Sequence, residues 1–244
     1  MRAAGRGRIL SAVKPFLVLD CYLDDIGATR LFTPLPDGSP VEALQVVRDP
    51  LPSDPSAYAG LLITGSAASV LDPEVAWLPG LEAFVSAALE RDVPILGVCF
   101  GHQLVAKLLW GPDALRLSPT PEVGWFEIER TAEDALLEGF PRRFTTFLSH
   151  FDEVLEAPAG LECVARSERC GVQAFQVPGR PVWCVQFHAE MDAEETERLL
   201  RQRLAKNPHL GDPEQALERR VDSSALKRRL FENFLRLARA HTPA

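Results

Sequence analysis

Val93-Pro94-Ile95-Leu96-Gly97-Val98-Cys99-Phe100-Gly101-His102-Gln103 leads an apolar strand directly into a glycine, a cysteine and a second glycine, and helical spacing begins at once after them. An aliphatic run this short, bounded by turn residues, suits a strand buried on both faces of a parallel sheet. A sharp strand-to-helix turn forces its central residue into a strained backbone geometry, so small neighbours at Gly97 and Gly101 are needed to prevent collisions. The thiol of Cys99 is then pushed into the cleft at the carboxyl end of the sheet, over the start of the next helix. That helix end offers partial positive charge and free amides, which favour thiolate over thiol and can hold a developing oxyanion. The plain alternative is a buried cysteine that ends a strand beside two convenient glycines.

Upstream, residues 16–19, 44–47 and 60–64 are similar aliphatic runs, and over 73–90 the apolar residues Val75, Leu78, Leu81, Phe84, Val85, Ala88 and Leu89 recur at helical spacing. Strand, helix, strand units of this kind build a parallel sheet. A helix over 102–109 comes after the cysteine, and from Trp125 the texture changes to short strand-like segments at 125–129, 144–149, 172–176 and 182–187. Helices are predicted over 194–205 and 224–240, the second with Leu226, Leu230, Phe231, Phe234, Leu235 and Leu237 on one face and Asp222 or Ser223 as cap. The polar stretch 207–222 reads as an exposed loop with a helical turn, and the Pro- and Gly-rich stretch 24–42 as a loop that either rims a site or is a plain excursion. The expected class is α/β, with a central, mostly parallel sheet becoming mixed and flanked by helices. One domain is expected over 1–244, with a core at about 15–205 and a helical extension at about 206–240.

The 34 acidic residues outnumber the 26 basic ones, giving a net charge of −8 without a long basic tract, which disfavours attachment to nucleic acid. No apolar run is long enough to cross a bilayer. Arg2, Arg6 and Arg8 precede a short apolar patch, but Asp20, Asp24 and Asp25 interrupt the apolar segment from Phe16, which makes a poor signal peptide. Five cysteines without tight paired spacing argue against a disulfide framework or a zinc knuckle and for a reducing, cytoplasmic setting. No metal or organic cofactor is implied.

A cysteine nucleophile needs a base, and His188 ends another apolar strand, with Glu190 two residues on and able to return to the imidazole. His150 is a rival; His102 comes just after the turn and reads as a support for it, while His209 and His241 lie in a polar loop and in the tail. Gly65, closing the strand at 60–64, has an amide that could serve an oxyanion or simply a tight turn. Ser149, His150, Phe151 and Asp152 end a strand with polar groups suited to a substrate's charged end, or to ordinary loop capping.

Together these segments resemble the class I glutamine amidotransferase family. Gly97-Val98-Cys99-Phe100-Gly101-His102-Gln103 looks like its nucleophile signature, Gln186-Phe187-His188-Ala189-Glu190 like its histidine and glutamate signature, and Ile63-Thr64-Gly65-Ser66 like its oxyanion strand. Glu122-Val123-Gly124-Trp125, Ser149 to Asp152 and Val172 to Phe175 fall in the family's order. The resemblance implies a flavodoxin-like fold. It also implies a Cys99, His188, Glu190 triad, an oxyanion hole from the Gly65 and Phe100 amides, and a glutamine site involving Gln103, Ser149, His150 and Phe151. Two departures stand out: Ala189 where the family usually has proline, loosening the turn that places Glu190, and Thr64-Gly65-Ser66 where many members carry Gly-Gly-Pro.

By resemblance, the substrate is glutamine or another γ-glutamyl amide, hydrolysed through a thioester. A self-sufficient hydrolase is slightly preferred, because the residues after Glu190 are too few for a second active site. A glutaminase subunit feeding a separate synthase, and a binding or regulatory protein with an idle site, are the alternatives. Oligomeric state is not legible.

Overall fold

Strands β1 (Phe16–Asp20), β2 (Val41–Gln45), β3 (Gly60–Ile63) and β4 (Ile95–Val98) precede a long hairpin of β5 (Leu115–Arg130) and β6 (Arg143–Val154). β7 (Glu162–Arg166), β8 (Ala174–Gln176) and β9 (Val182–Val185) complete the set. This is a computed structural model, and it describes residues 13–23, 32–155 and 160–241. Among the described residues these strands form one sheet in the order β2-β1-β3-β4-β9-β8-β7-β5-β6. The first five positions pair in parallel and the rest antiparallel. All residues of β1, β3, β4 and β9 are buried, as the aliphatic runs require when helices cover both faces.

Alternation along each strand divides the apolar residues between two cores. On one face, Leu17, Leu19, Leu61, Ile63 and Ile95 pack under α1 (Leu78–Glu90) and α2 (Phe100–Trp110). On the other, Phe16, Val18, Leu62, Leu96 and Val98 pack under α3 (Ala193–Lys206) and the C-terminal helix Ser224–His241. Between those two helices, the loop at 207–222 contains the 3₁₀ turn Pro208–Leu210 and the short α4 (Pro213–Leu217). Asp212 caps α4 by accepting from the N–H groups of Glu214 and Gln215 at 2.9 and 3.0 Å.

The C-terminal helix, α5, uses its apolar face on its own sheet. Phe234 meets Phe16 edge-on at 5.9 Å between centroids and Trp183 at 6.3 Å, and Phe231 meets Phe32 at 5.5 Å. Asn233 donates to the carbonyls of Leu136 and Glu138 at 2.7 and 2.8 Å, fixing the helix to the β5–β6 connection. Asp222 accepts from the Ser224 N–H and hydroxyl, each at 2.9 Å, in the expected capping position. Phe234→Ala leaves a cavity between helix and sheet and is expected to lower stability by about 3–5 kcal/mol, read from a urea midpoint that falls at unchanged slope.

Some predicted boundaries move, for identifiable reasons. β2 is Val41–Gln45 and not 44–47, because the Asp49 carboxylate accepts the Gln45 N–H at 2.9 Å and the Arg48 and Asp49 N–H groups turn back onto the Gln45 carbonyl. α1 begins at Leu78, with Pro79 in its first turn, and the preceding residues from 73 form turns. β5 and β6 far exceed 125–129 and 144–149, because they pair as a hairpin from Leu115 opposite Val154 to Glu129 opposite Arg143, through stretches that carry no apolar run. In the stretch 24–42, residues 24–31 lie outside the described residues.

Candidate active site

β4 delivers Cys99 to the start of α2 with φ +51° and ψ −99°, a backbone conformation that costs a non-glycine residue roughly 1–3 kcal/mol. The turn persists because its surroundings hold it. The Cys99 N–H donates to Val185 O at 2.8 Å, the Gly101 N–H to Thr64 O at 3.2 Å, and the Gln103 N–H to Cys99 O at 3.0 Å. A Cβ on Gly97 would stand 2.7 Å from the Gly101 backbone, and one on Gly101 would stand 2.5 Å from Ile63 O. The two flanking glycines are therefore steric necessities of the turn.

His188 comes from beyond β9 and is pinned by β6, with its N–H donating to Phe147 O at 2.8 Å and its carbonyl accepting from the Thr146 hydroxyl at 3.2 Å. Its Nδ1 meets Glu190 Oε1 at 2.7 Å, and the Tyr22 hydroxyl donates to the same carboxylate oxygen at 3.2 Å. The Cys99 sulfur, whose thiol faces the Ser149 carbonyl at 4.0 Å, also acts on the imidazole and helps to raise its pKa. Burial alone would lower the His188 pKa, but Glu190 and Cys99 outweigh it and raise it to about 10. Tyr22 is held well above the ordinary phenol range by burial and by Glu190, so it remains a donor. The arrangement supplies a thiol, an oriented imidazole and a fixed carboxylate, the parts of a nucleophile activated by a base.

Gly65 lies against the ring: a Cβ there would sit 2.8 Å from His188 Cε1 and 3.2 Å from the Tyr22 hydroxyl. Phe100 occupies the first turn of α2, where helical N–H groups have no intrahelical acceptor. Among the described residues, neither the Gly65 nor the Phe100 N–H has a backbone or side-chain acceptor.

A cavity of about 290 Å³ opens beside His188 and is lined by Tyr22, Ser66, Ser149, Gln202 and Arg203 among others. Of the substrate-binding candidates, Ser149 lines it and Gln103, His150 and Phe151 do not. Gln103 instead braces the sheet, donating to Asp152 O at 2.9 Å and Gln186 Oε1 at 3.1 Å. His150, the rival base, comes next after Ser149 on β6 and so points to the opposite face, where its ring is engaged by Glu122 and the Asp152 carbonyl. Phe151 lies under the Arg203 guanidinium, 5.6 Å from it. His102 packs on Phe175 at 4.8 Å, and burial holds it neutral with a pKa of about 3.

Sequence reasoning missed Tyr22 and Arg203, whereas Ser66 closes a segment already read as a site wall. A signal for Tyr22 existed, since it lies just past the carboxyl end of a strand that pairs in parallel, where α/β clefts form. Nothing local marked Arg203, which arrives from α3.

The chain matches the family described as glutamine amidotransferase class-I over residues 41–207. The chain belongs to the class I glutamine amidotransferase family. It is 41% identical over 113 residues to a glutamine-hydrolyzing GMP synthase subunit of Pyrococcus abyssi, covering 46% of this chain and 59% of that protein. Its identity to the corresponding Thermococcus kodakarensis subunit is 32% over 157 residues, covering 64% and 74%. With the glutamine-hydrolyzing GMP synthase of Aeropyrum pernix it is 35% over 152 residues, 62% of this chain but 27% of that protein. Among solved structures, a Thermotoga maritima glutamine amidotransferase superposes with a TM-score of 0.77 at 21% identity, covering 92% and 98% of the two chains. One from Methylobacillus flagellatus gives 0.74 at 24%, covering 96% and 100%. The fold is that of class I glutamine amidotransferases, with the flavodoxin-like parallel order at its centre.

The amidotransferase departures find local compensation. Without proline at 189, the segment is clamped by β6 through both the N–H and the carbonyl of His188, and Tyr22 holds Glu190 from above. At Thr64-Gly65-Ser66, the Thr64 hydroxyl accepts from the Cys21 N–H at 2.9 Å and donates to the Gly65 carbonyl at 3.0 Å, which fixes the orientation of that peptide. Because the His188 pKa is higher folded than unfolded, folding takes up a proton there. The stability this gives is full below pH 6.5 and is lost as pH rises through about 10. Urea unfolding across that window is expected to show a steeper loss for the native chain than for Glu190→Gln; equal slopes would contradict the coupling.

Proposed function

We propose that this amidotransferase chain hydrolyses the side-chain amide of glutamine at Cys99 and passes the ammonia to a separate synthase polypeptide. The observation that carries the reading is the strained cysteine at the head of α2 facing an imidazole that is itself held by Glu190. The Cys99 sulfur attacks the amide carbon, and negative charge gathers on its oxygen beside the Gly65 and Phe100 N–H groups, with Ser149 at the cavity wall. His188 gives a proton to the departing nitrogen, the C–N bond breaks, and a γ-glutamyl thioester and ammonia result. His188 then takes a proton from water, whose oxygen displaces the sulfur and frees glutamate. Glu190 keeps the imidazole in one orientation and balances its charge throughout, as carboxylates do in such triads. We read the whole chain as one domain carrying this reaction.

The relatives named as synthase subunits favour ammonia delivery over a self-sufficient hydrolase. The test measures ammonia release from glutamine by the chain alone and in the presence of a synthase polypeptide, beside a panel of γ-glutamyl peptides. Stimulation by the synthase and poor use of the peptides are expected. Rapid peptide cleavage by the chain alone, with no response to a synthase, would replace this reading with the hydrolase.

A further inference from the structure

Behind Ser149, on the far side of β6 from the cavity, lies a second cluster that the proposed reaction does not use. Glu122 of β5, His150 of β6 and Cys170 from the turn between β7 and β8 place one donor atom each within 4.8 Å of one another. The Glu122 and His150 side chains are each 1% exposed and Cys170 is 2% exposed. We propose that these three residues bind one divalent transition-metal ion of the zinc class.

The hydrogen-bond inventory calls for a cation at this point. His150 Nδ1 faces the Asp152 carbonyl at 3.0 Å, and a carbonyl only accepts, so the hydrogen belongs on Nδ1. Nε2 then faces Glu122 Oε2 at 2.9 Å, the length of an N–H···O bond, so either Nε2 carries a second proton or the two atoms open slightly to share a metal as neighbouring ligands. A metal-bound histidine commonly donates its other nitrogen to a carbonyl in this manner. Gln173 Nε2 donates to Glu122 Oε2 at 2.6 Å and so orients the carboxylate. Glu122 Oε1 and Gln173 Oε1 are nonetheless buried without partners among the described residues. Such atoms are rare in folded proteins unless an ion or water engages them.

Charge and donor type favour a zinc-like ion over a shared proton. A thiolate and a carboxylate balance a dication inside a buried site, with neutral imidazole as third donor. Nitrogen and sulfur donors disfavour magnesium and calcium. Of the three, Glu122 also borders a surface cavity, with Ser167 and Arg169 beside it. An ion there would tie β5, β6 and the β7–β8 turn together directly behind Ser149.

The test titrates Co²⁺ alone into metal-free full-length Cys99→Ser protein, which removes the proposed catalytic thiol from consideration. One equivalent is expected to bind, with a near-ultraviolet thiolate-to-cobalt charge-transfer band that Zn²⁺ abolishes. Cys170→Ser on the same background should lose the band, and Cys163→Ser should keep it. X-ray absorption on the Cys99→Ser complex should report one sulfur and otherwise nitrogen or oxygen around the metal, a result that stands even where Cys170→Ser fails to fold. No stoichiometric binding, a band that survives Cys170→Ser, or a sulfur-free shell overturns the proposal and leaves a proton between His150 and Glu122.

Discussion

Cys99→Ala is expected to reduce glutamine hydrolysis by about 10⁴-fold or more, the scale seen when the nucleophile of a cooperating triad is removed. The loss should fall on kcat, because Ser149 and the cavity lining beside His188 remain in place to hold substrate. Stability should move the other way in a companion variant. Cys99 sits at φ +51°, so Cys99→Gly relieves backbone strain and should stabilise the chain by about 1 kcal/mol while being equally inactive. Steady-state ammonia release and urea unfolding measure the two effects. Substantial activity in the alanine variant would discard the mechanism, and a destabilised glycine variant would show that the turn is not strained.

Gly101→Ala should cost about 3 kcal/mol or more, a large share of the roughly 5–15 kcal/mol that holds a domain folded. The new methyl would stand 2.5 Å from Ile63 O and 2.8 Å from Ile63 Cβ. Backbone cannot rotate away as a flexible side-chain tip can, so α2 must lift from β3. That movement would break the Gly101 N–H to Thr64 O bond and drag Cys99 from its position opposite His188. Stability and turnover are therefore expected to fall together. The urea midpoint, compared at equal slope, gives the stability term, and a loss under about 1 kcal/mol would mean the turn accommodates the methyl.

The parallel half of the sheet is legible because its strands are buried on both faces, which leaves unbroken aliphatic runs that few other structures require. The antiparallel half is harder to read. β7, Glu-Cys-Val-Ala-Arg, has charged ends and only two fully buried residues, so it carries no run at all. Cys99, His188 and Glu190 are visible because each sits at or just beyond the end of an apolar strand, and strand ends in such sheets converge on one edge. The roles of Gln103 and His150 could not be separated from those of cavity residues in sequence. Which face of β6 a side chain takes depends on register, and Ser149 and His150 differ by one position. Tyr22 and Arg203 reach the cavity from opposite ends of the chain, and Glu122, His150 and Cys170 meet only through strand pairing, which no local spacing encodes.

The most direct measurement of the central claim, that Cys99 is a nucleophile activated by His188, is intact-mass and peptide mapping after exposure to a glutamine-shaped chloroketone. One adduct is expected, on the peptide containing Cys99, slowed by excess glutamine and by Glu190→Gln and absent in Cys99→Ala. A chain left unlabelled, or labelled on Cys163 in preference to Cys99, would contradict it.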